Sequence, residues 1–387
     1  MDQFDDKKIA LLATMRNHVD YYLTLVSLWA PYSSEILIIG SQQILADLKI
    51  HLPSDSKTAF LEWDVDHHIE TLFHKHQKML NLYTAIIIDE IYASPFPLWL
   101  SLMRYPMKSR LVYTIHNANL WLYPRFLFLF KHMFDALCRK CIIKKMDALL
   151  VMSPLIRNYI RDMNLFRREV FVVPFKMPSS SHDRQRQMNG RLKFVIPGLI
   201  NLERKDYQRT IDVFEEIWAS HPADIQLTLL GEPDKDPGIP SFLQRCDQIN
   251  QRYGQQRIRY WPHRIDPQTF QQEIEDADVI LLNMRVFYLG TATPEIYGIT
   301  KESGATFHMM STGKPMIAPE HYATVNGFKT QVLKFQDWPD LKDTIINIAQ
   351  GIIDLDELKK AGEINGRRFQ EWMQKETRDF FEGFLKI

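Results

Sequence analysis

Residues 294–319 read PEIYGITKESGATFHMMSTGKPMIAP, and the fold of this stretch decides how the rest of the chain is read. Polar and acidic groups come first. A short helix is expected after Ser303-Gly304, and a Gly313-Lys314-Pro315 turn then leads into an apolar strand, MIAP. A helix N-terminus carries unpaired N–H groups and roughly half a positive charge, so it seats an anion such as a diphosphate. Ser303 suits the cap position, and Gly304 lets backbone or ligand come close. Taken alone, the stretch equally fits an ordinary βα unit packing its sheet.

On both sides of this stretch the chain alternates strand and helix patterns, the signature of parallel sheets with crossover helices. Apolar runs at 9–14, 35–40, 85–89, 110–116, 148–152 and 169–174 make a first series of strands. A second series is expected at 193–198, 225–231, 257–262, 278–283, 315–319 and 331–335. Between the series, PSSSHDRQRQMNGR (178–191) is almost without apolar residues and reads as a linker. The expected domains are therefore 1–177 and 192–365, with a terminal helix over 366–387 crossing back to the first domain. YQRTIDVFEEIWASH and PQTFQQEIEDA supply helices in the second domain. Neither half opens with G-x-G-x-x-G after its first strand, and G-x-x-x-x-G-K-[ST] is absent, which argues against a dinucleotide dehydrogenase and a P-loop NTPase.

Composition fits a globular enzyme. The 387 residues are 45% apolar and 24% charged, enough for real cores. A net charge of zero gives no global attraction to nucleic acid. Cys138, Cys141 and Cys246 cannot make a disulfide framework, and the Cys138–Cys141 spacing reads as two helical cysteines rather than a zinc or redox site. The polar start MDQFDDKK does not read as a signal peptide, so a cytoplasmic protein is expected. Asp234-Lys235-Asp236 lies in a Pro- and Gly-rich loop and reads as a turn, so no metal site is expected. His67, His68, His74 and His76 read as a solvated helical face.

Several segments together resemble the GT-B glycosyltransferases, in particular the retaining family-four type (glycosyl transferases group 1). Glu295-Ile296-Tyr297-Gly298 resembles the family's Glu-x-Phe-Gly, and Gly313-Lys314-Pro315 its Gly-x-Pro turn before a strand. Anchored on Glu295, the family's second glutamate falls at Ser303. Anchored on the turn, which marks the helix end, it falls at His308, with Ser303-Gly304 at the diphosphate; Glu302 is a third candidate acid. FVIPGLINLERKDYQRTIDVFEEI resembles the family's strand, Gly-rich turn at Gly198, and basic pair, here Arg204 and Lys205. Positioned cations are what a departing nucleoside diphosphate needs. RLVYTIHNANLW resembles the strand ending in a cleft-facing histidine, His116. The family's glycines are missing from the first βα turn, Thr14 to His18, and DALLVMSPLIRNYI resembles its serine-started helix.

The resemblance implies an α/β chain of two doubly wound Rossmann-like domains facing a cleft. It implies transfer of a hexose-type sugar from a nucleotide-diphosphate donor to a glycan or lipid-linked saccharide, with retention and no metal or other cofactor. His116 would act near the reaction centre, and Gly198, Arg204, Lys205, Glu295, Glu302, Ser303, Gly304 and His308 would hold the donor. Two other readings stay open: a nucleotide-sugar epimerase on the same fold, and a degenerate subunit that binds or activates a partner.

Charge is unevenly spread. From Arg104 to Arg168 there are thirteen Lys and Arg against three acids. A helix in this region would group Leu127, Phe130, Phe134, Leu137, Cys138 and Cys141 on one face, with Phe128, Leu129 and Ile143 pointing away among basic residues. Contact with an anionic membrane surface through residues 104–168, at the inner face of the membrane, is therefore an expectation beside that of a packed helix.

Overall fold

The computed structural model describes residues 7–15, 18–53, 57–91, 94–123, 130–178, 190–289 and 293–386. The first half builds seven strands: β1 (Lys8–Leu12), β2 (Glu35–Gly40), β3 (Thr58–Glu62), β4 (Ala85–Ile88), β5 (Arg110–Ile115), β6 (Ala148–Val151) and β7 (Glu169–Val172). They form one parallel sheet in the order β3-β2-β1-β4-β5-β6-β7. Ile9 lies opposite Ile36 on one side and Ala85 on the other. Helices cover both faces, so the central strands are apolar without alternation, and Ile9 to Leu12 are buried throughout.

The second half contributes β8 (Leu192–Pro197), β9 (Ile225–Leu230), β10 (Ile258–Tyr260), β11 (Val279–Leu281), β12 (Phe287–Tyr288), β13 (Glu295–Ile296), β14 (Met316–Pro319) and β15 (Val332–Phe335). Six of these make a parallel sheet, β10-β9-β8-β11-β14-β15, while β12 and β13 pair as a small antiparallel ribbon. The helices at Tyr207–Ser220 and Pro267–Asp276 start where expected, because the Asp206 and Asp266 side chains accept from Arg209 N and Thr269 N. Two features escape the apolar pattern. β3 is a half-buried edge strand, and β12 and β13 are each too short to show a period.

Strand order reverses between β1 and β4 in one sheet and between β8 and β11 in the other. At such a reversal the flanking crossovers leave on opposite faces, opening a crevice beyond the carboxyl ends of the strands. The loops after β1, β4, β8 and β11 are thus placed to build a site.

The terminal helix runs Leu355–Arg378, starting well before residue 366, and continues as a π-helical turn over Asp379–Phe384. It crosses to the first sheet. Glu376 pairs with Arg157 at 2.6 Å and accepts from Val172 N at 3.1 Å, and Phe380 stacks on Trp29 with centroids 5.2 Å apart. Gly362 permits the crossing, since a Cβ there would sit 2.0 Å from the Gly313 carbonyl oxygen. Most of the expected linker, residues 179–189, lies outside the described residues.

The basic helix spans Phe130–Lys145, and its faces differ from the expectation. Cys138, Ile142, Ile143 and Met146 pack inward, whereas Met133, Phe134 and Leu137 are 45%, 46% and 52% exposed. Ile143 therefore belongs to the core, and Phe134 and Leu137 do not. The reason is tertiary: the helix packs against its neighbours at Phe96–Arg104 and Ala118–Leu122, and that contact selects a different stripe. Leu127, Phe128 and Leu129 lie outside the described residues. Among the described residues, no helix is long and apolar enough to cross a membrane.

Candidate active site at the two switch points

In the second half, β8 ends in a turn at Gly198, whose φ of +88° favours glycine. Lys205 folds back under this turn. Its Nζ donates to the carbonyls of Pro197 at 2.8 Å and Gly198 at 3.1 Å and lies 3.3 Å from the Tyr207 hydroxyl. Burial, and then the neighbouring Arg204 charge, lower its pKa to about 7. Lys205 is therefore a buried prop of the turn. Arg204 lies over the Tyr288 ring, 5.1 Å from its centroid, with its Nε buried and without a partner. Lys301 was not singled out from the sequence. It lies near enough to Arg204 that, after burial, the Arg204 charge depresses its pKa. No salt bridge joins Arg204, Lys205 or Lys301 to an acid among the described residues.

The helix expected after Ser303 is present over Gly304–Thr312, and Ser303 caps it by accepting from Ala305 N at 3.3 Å. It ends at Gly313 in the left-handed conformation. Gly304 is exposed at the helix start, and a Cβ there would meet no atom, so the protein's own packing does not demand glycine. The candidate acids fare differently. Glu302 is buried, accepts from the Tyr322 hydroxyl and from Ser303 N, and has a pKa raised by that burial. Glu295 is also buried: its Oε1 accepts from Leu120 N at 3.1 Å and its Oε2 from the Thr300 hydroxyl at 2.5 Å. Burial pushes its pKa up to about 7. Glu295 thus ties the second half to the first, with both oxygens engaged by protein. His308 packs on Phe270 with a buried Nδ1 that has no partner, and burial followed by the Lys176 and Lys205 charges lowers its pKa to about 3. It is a neutral imidazole whose buried Nδ1 has no partner within the protein.

In the first half, the switch point gathers residues from the loops after β1, β4 and β5. Asp89, fully buried at the end of β4, receives His116 Nε2 at 2.8 Å and Glu90 N at 2.9 Å on Oδ1. Its Oδ2 receives His18 Nδ1 at 2.9 Å, the Tyr22 hydroxyl at 2.6 Å and the Thr14 hydroxyl at 3.3 Å. The His18 and His116 rings lie 4.3 Å apart. Among the described residues these three side chains are the grouping compact enough to chelate an ion, with candidate atoms within 4.8 Å of one another. Here the three are joined by hydrogen bonds through Asp89. Glu90 clamps the next turn, its Oε2 accepting from His116 N at 2.5 Å and Asn117 N at 3.1 Å, and its Oε1 from Asn117 Nδ2 at 2.7 Å. His116 was legible in the sequence, whereas Asp89, Glu90 and His18 were not. The signal that finds Asp89 and Glu90 is two acids at the end of an otherwise apolar strand, AIIIDE.

The two halves meet across this site. Ala118 N donates to Thr300 O at 2.8 Å, Lys301 Nζ to Asn117 Oδ1 at 2.7 Å and Asn119 Nδ2 to Pro294 O at 2.8 Å. Phe175 contacts His18 on one side and stacks on Phe307 of the 304–312 helix on the other, both at 5.6 Å. His116 and the helix N-terminus are therefore on the same junction. Asp234-Lys235-Asp236 is a turn beside the Gly198–Lys205 loop, with Asn201 Nδ2 donating to Asp234 Oδ2 and its carboxylates accepting from Lys235 N and Gly238 N at 2.7 Å each. Cys138 and Cys141 lie together in the helix Phe130–Lys145 as free thiols. His74 and His76 contact Tyr105 and Trp63.

No protein-family model matches the sequence, and no curated protein is significantly similar to it. Solved structures do resemble it. The chain is similar to HepE of Anabaena in complex with UDP, with a TM-score of 0.64 and 14% identity over 97% of this chain and 99% of that one. It is also similar to sucrose-phosphate synthase from Thermosynechococcus elongatus, with a TM-score of 0.59 and 15% identity over 98% and 99%. An alpha,alpha-trehalose-phosphate synthase (UDP-forming) from Burkholderia vietnamiensis matches with a TM-score of 0.56 and 11% identity over 98% and 99%. These likenesses cover both halves, and the chain has the GT-B fold, two doubly wound α/β halves facing one another.

Proposed function

We propose that this chain is a glycosyltransferase that moves a hexose-type sugar from a nucleotide-diphosphate donor to a glycan or lipid-linked saccharide, with retention and without a metal. The observation that carries the reading is the convergence of Arg204, Lys205 and Lys301, none of them in an acid salt bridge among the described residues: Lys301 lies just ahead of the Gly304–Thr312 helix, and the Lys205 charge reaches His308 within it. Unneutralised cations and a helix N-terminus suit a diphosphate, and cations placed there stabilise the charge that builds as it leaves. His308 or Glu302 takes the ribose side, because His308 Nδ1 and Glu302 Oε2 are both buried with a hydrogen bond to gain, whereas both Glu295 oxygens are engaged. His116 faces the sugar from the other half. UDP is the first nucleotide to test, since HepE was solved with it.

Calorimetric titration with UDP tests this reading. Arg204→Ala is expected to weaken binding by about tenfold to a hundredfold, the loss of a charge-assisted hydrogen bond. Lys205→Ala should weaken it similarly and also lower the melting temperature, because the Pro197 and Gly198 carbonyls lose their buried donor. Wild-type protein that binds no nucleotide or nucleotide sugar, or an Arg204→Ala variant with unchanged affinity, contradicts the assignment.

The acceptor side carries the membrane part of the proposal. Met133, Phe134 and Leu137 form an exposed apolar strip at the start of the basic helix, followed by exposed Lys140, Lys144 and Lys145. Each basic residue near an anionic surface contributes about 1 kcal/mol, and the strip adds burial among headgroups. Flotation with anionic liposomes at low salt is expected to carry the protein, and added salt or Phe134→Glu with Leu137→Glu to release it. Indifference to anionic liposomes at low salt would mean a soluble acceptor surface.

A further inference from the structure

One carboxylate serves two imidazoles. Asp89 is an acceptor on both oxygens, so the ring nitrogens that face it, His116 Nε2 and His18 Nδ1, must each carry a proton. With Nε2 committed, Nδ1 is the ring nitrogen of His116 left for a ligand. We propose that Asp89 is a positioning residue that holds His116 as an imidazolium, making its Nδ1–H a charged donor to the sugar or its departing group, and that His18 tempers this by sharing the same carboxylate. The inference rests on the glycosyltransferase reading for its substrate but not for its chemistry.

The surroundings of His116 support it. Burial opposes the charged ring, yet the charge and hydrogen bond of Asp89 outweigh that opposition, and the His116 pKa is raised above its ordinary value. Glu90 acts in the same direction and Lys301 against it, while Tyr21 and His18 present their rings. On the carboxylate side, burial is overcome by the charges and hydrogen bonds of His18 and His116, so Asp89 stays ionised. The two rings lie 4.3 Å apart and share one carboxylate, so removing His18 leaves Asp89 with His116 as its one imidazole partner. The sign follows. A donor role for imidazolium predicts activity that is present at low pH and lost as pH rises through the His116 pKa.

The test reads the rings first and activity second. Nitrogen-15 correlation spectra of the protein without substrate, followed across pH, give both imidazole pKa values and tautomers. Asp89→Asn is expected to lower the His116 pKa by about one unit or more, the scale of a nearby opposite charge. His18→Asn keeps a donor toward Asp89 but removes the competing imidazole, and should raise the His116 pKa. Turnover should follow: the falling limb of the kcat–pH profile moves to lower pH in Asp89→Asn and to higher pH in His18→Asn, with UDP affinity little changed in both. If Asp89→Asn does not fold, His18→Asn decides the matter alone. A His116 pKa unmoved in the folded variants overturns the proposal even if the enzyme transfers sugar. A wild type that binds no nucleotide sugar, with the ring shifts as expected, instead removes the glycosyltransferase reading and leaves the coupled pair standing.

Discussion

His116→Ala is expected to lower turnover by about 10²–10³-fold, the usual cost of losing one positioned donor at a reacting centre. UDP affinity should change little, because the Arg204, Lys205 and Lys301 cluster belongs to the other half of the molecule. The variant is expected to fold. Glu90 holds the backbone N–H groups of residues 116 and 117, not the ring, and Asp89 keeps His18, Tyr22 and Glu90 N as donors. Steady-state kinetics should show kcat and kcat/KM falling together, the pattern of an interaction made only in the transition state. Near-normal kcat would return His116 to an ordinary buried hydrogen-bonding residue.

Glu376→Ala is expected to cost about 3–5 kcal/mol of stability, because it strands Arg157 beneath the terminal helix. The pair is 2.6 Å long, with side chains only 16% and 10% exposed, and the same Glu376 oxygen also satisfies Val172 N. Among the described residues no other carboxylate pairs with Arg157. Arg157 also lies over the Trp372 ring, so its removal disturbs helix packing as well as charge. Denaturant unfolding of Glu376→Ala, set against the double variant Arg157→Met with Glu376→Met, checks the cause. The double variant should recover most of the loss, since two apolar chains leave no buried charge behind. A loss under about 1 kcal/mol in the single variant would show that the pair is screened and that aromatic stacking at Phe380 alone anchors the crossing.

The strand series, the helices that follow Asp206 and Asp266 and the turn at Gly313 were legible in the sequence, because each depends on local pattern. Apolar runs buried on both faces need no partner to be identified, and an Asp three residues ahead of a free N–H is a local hydrogen bond. The edge strand β3 was hidden for the converse reason: its residues are half-buried, so apolar content did not mark it.

In the candidate site, the sequence by itself singled out His116, Arg204, Lys205 and the Ser303-Gly304 helix start, each sitting at the end of a recognisable strand or at a cap. Tertiary structure alone decided which groups share one crevice. Asp89 and His18 are 71 residues apart yet joined by a hydrogen bond, and Lys301 meets Asn117 across 184 residues. It also decided the partners of the candidate acids, turning Glu295 toward Leu120 and Glu302 toward Tyr322 while leaving Glu302 Oε2 and His308 Nδ1 buried without one. The same holds for the basic helix, where periodicity announced an apolar stripe but neighbouring packing chose Ile142 and Ile143 for the core and left Phe134 and Leu137 outside. Local pattern encodes which elements form, because propensity and capping act over a few residues. Partnership between distant side chains depends on strand order and on the approach of the two halves, and no short stretch of sequence contains either.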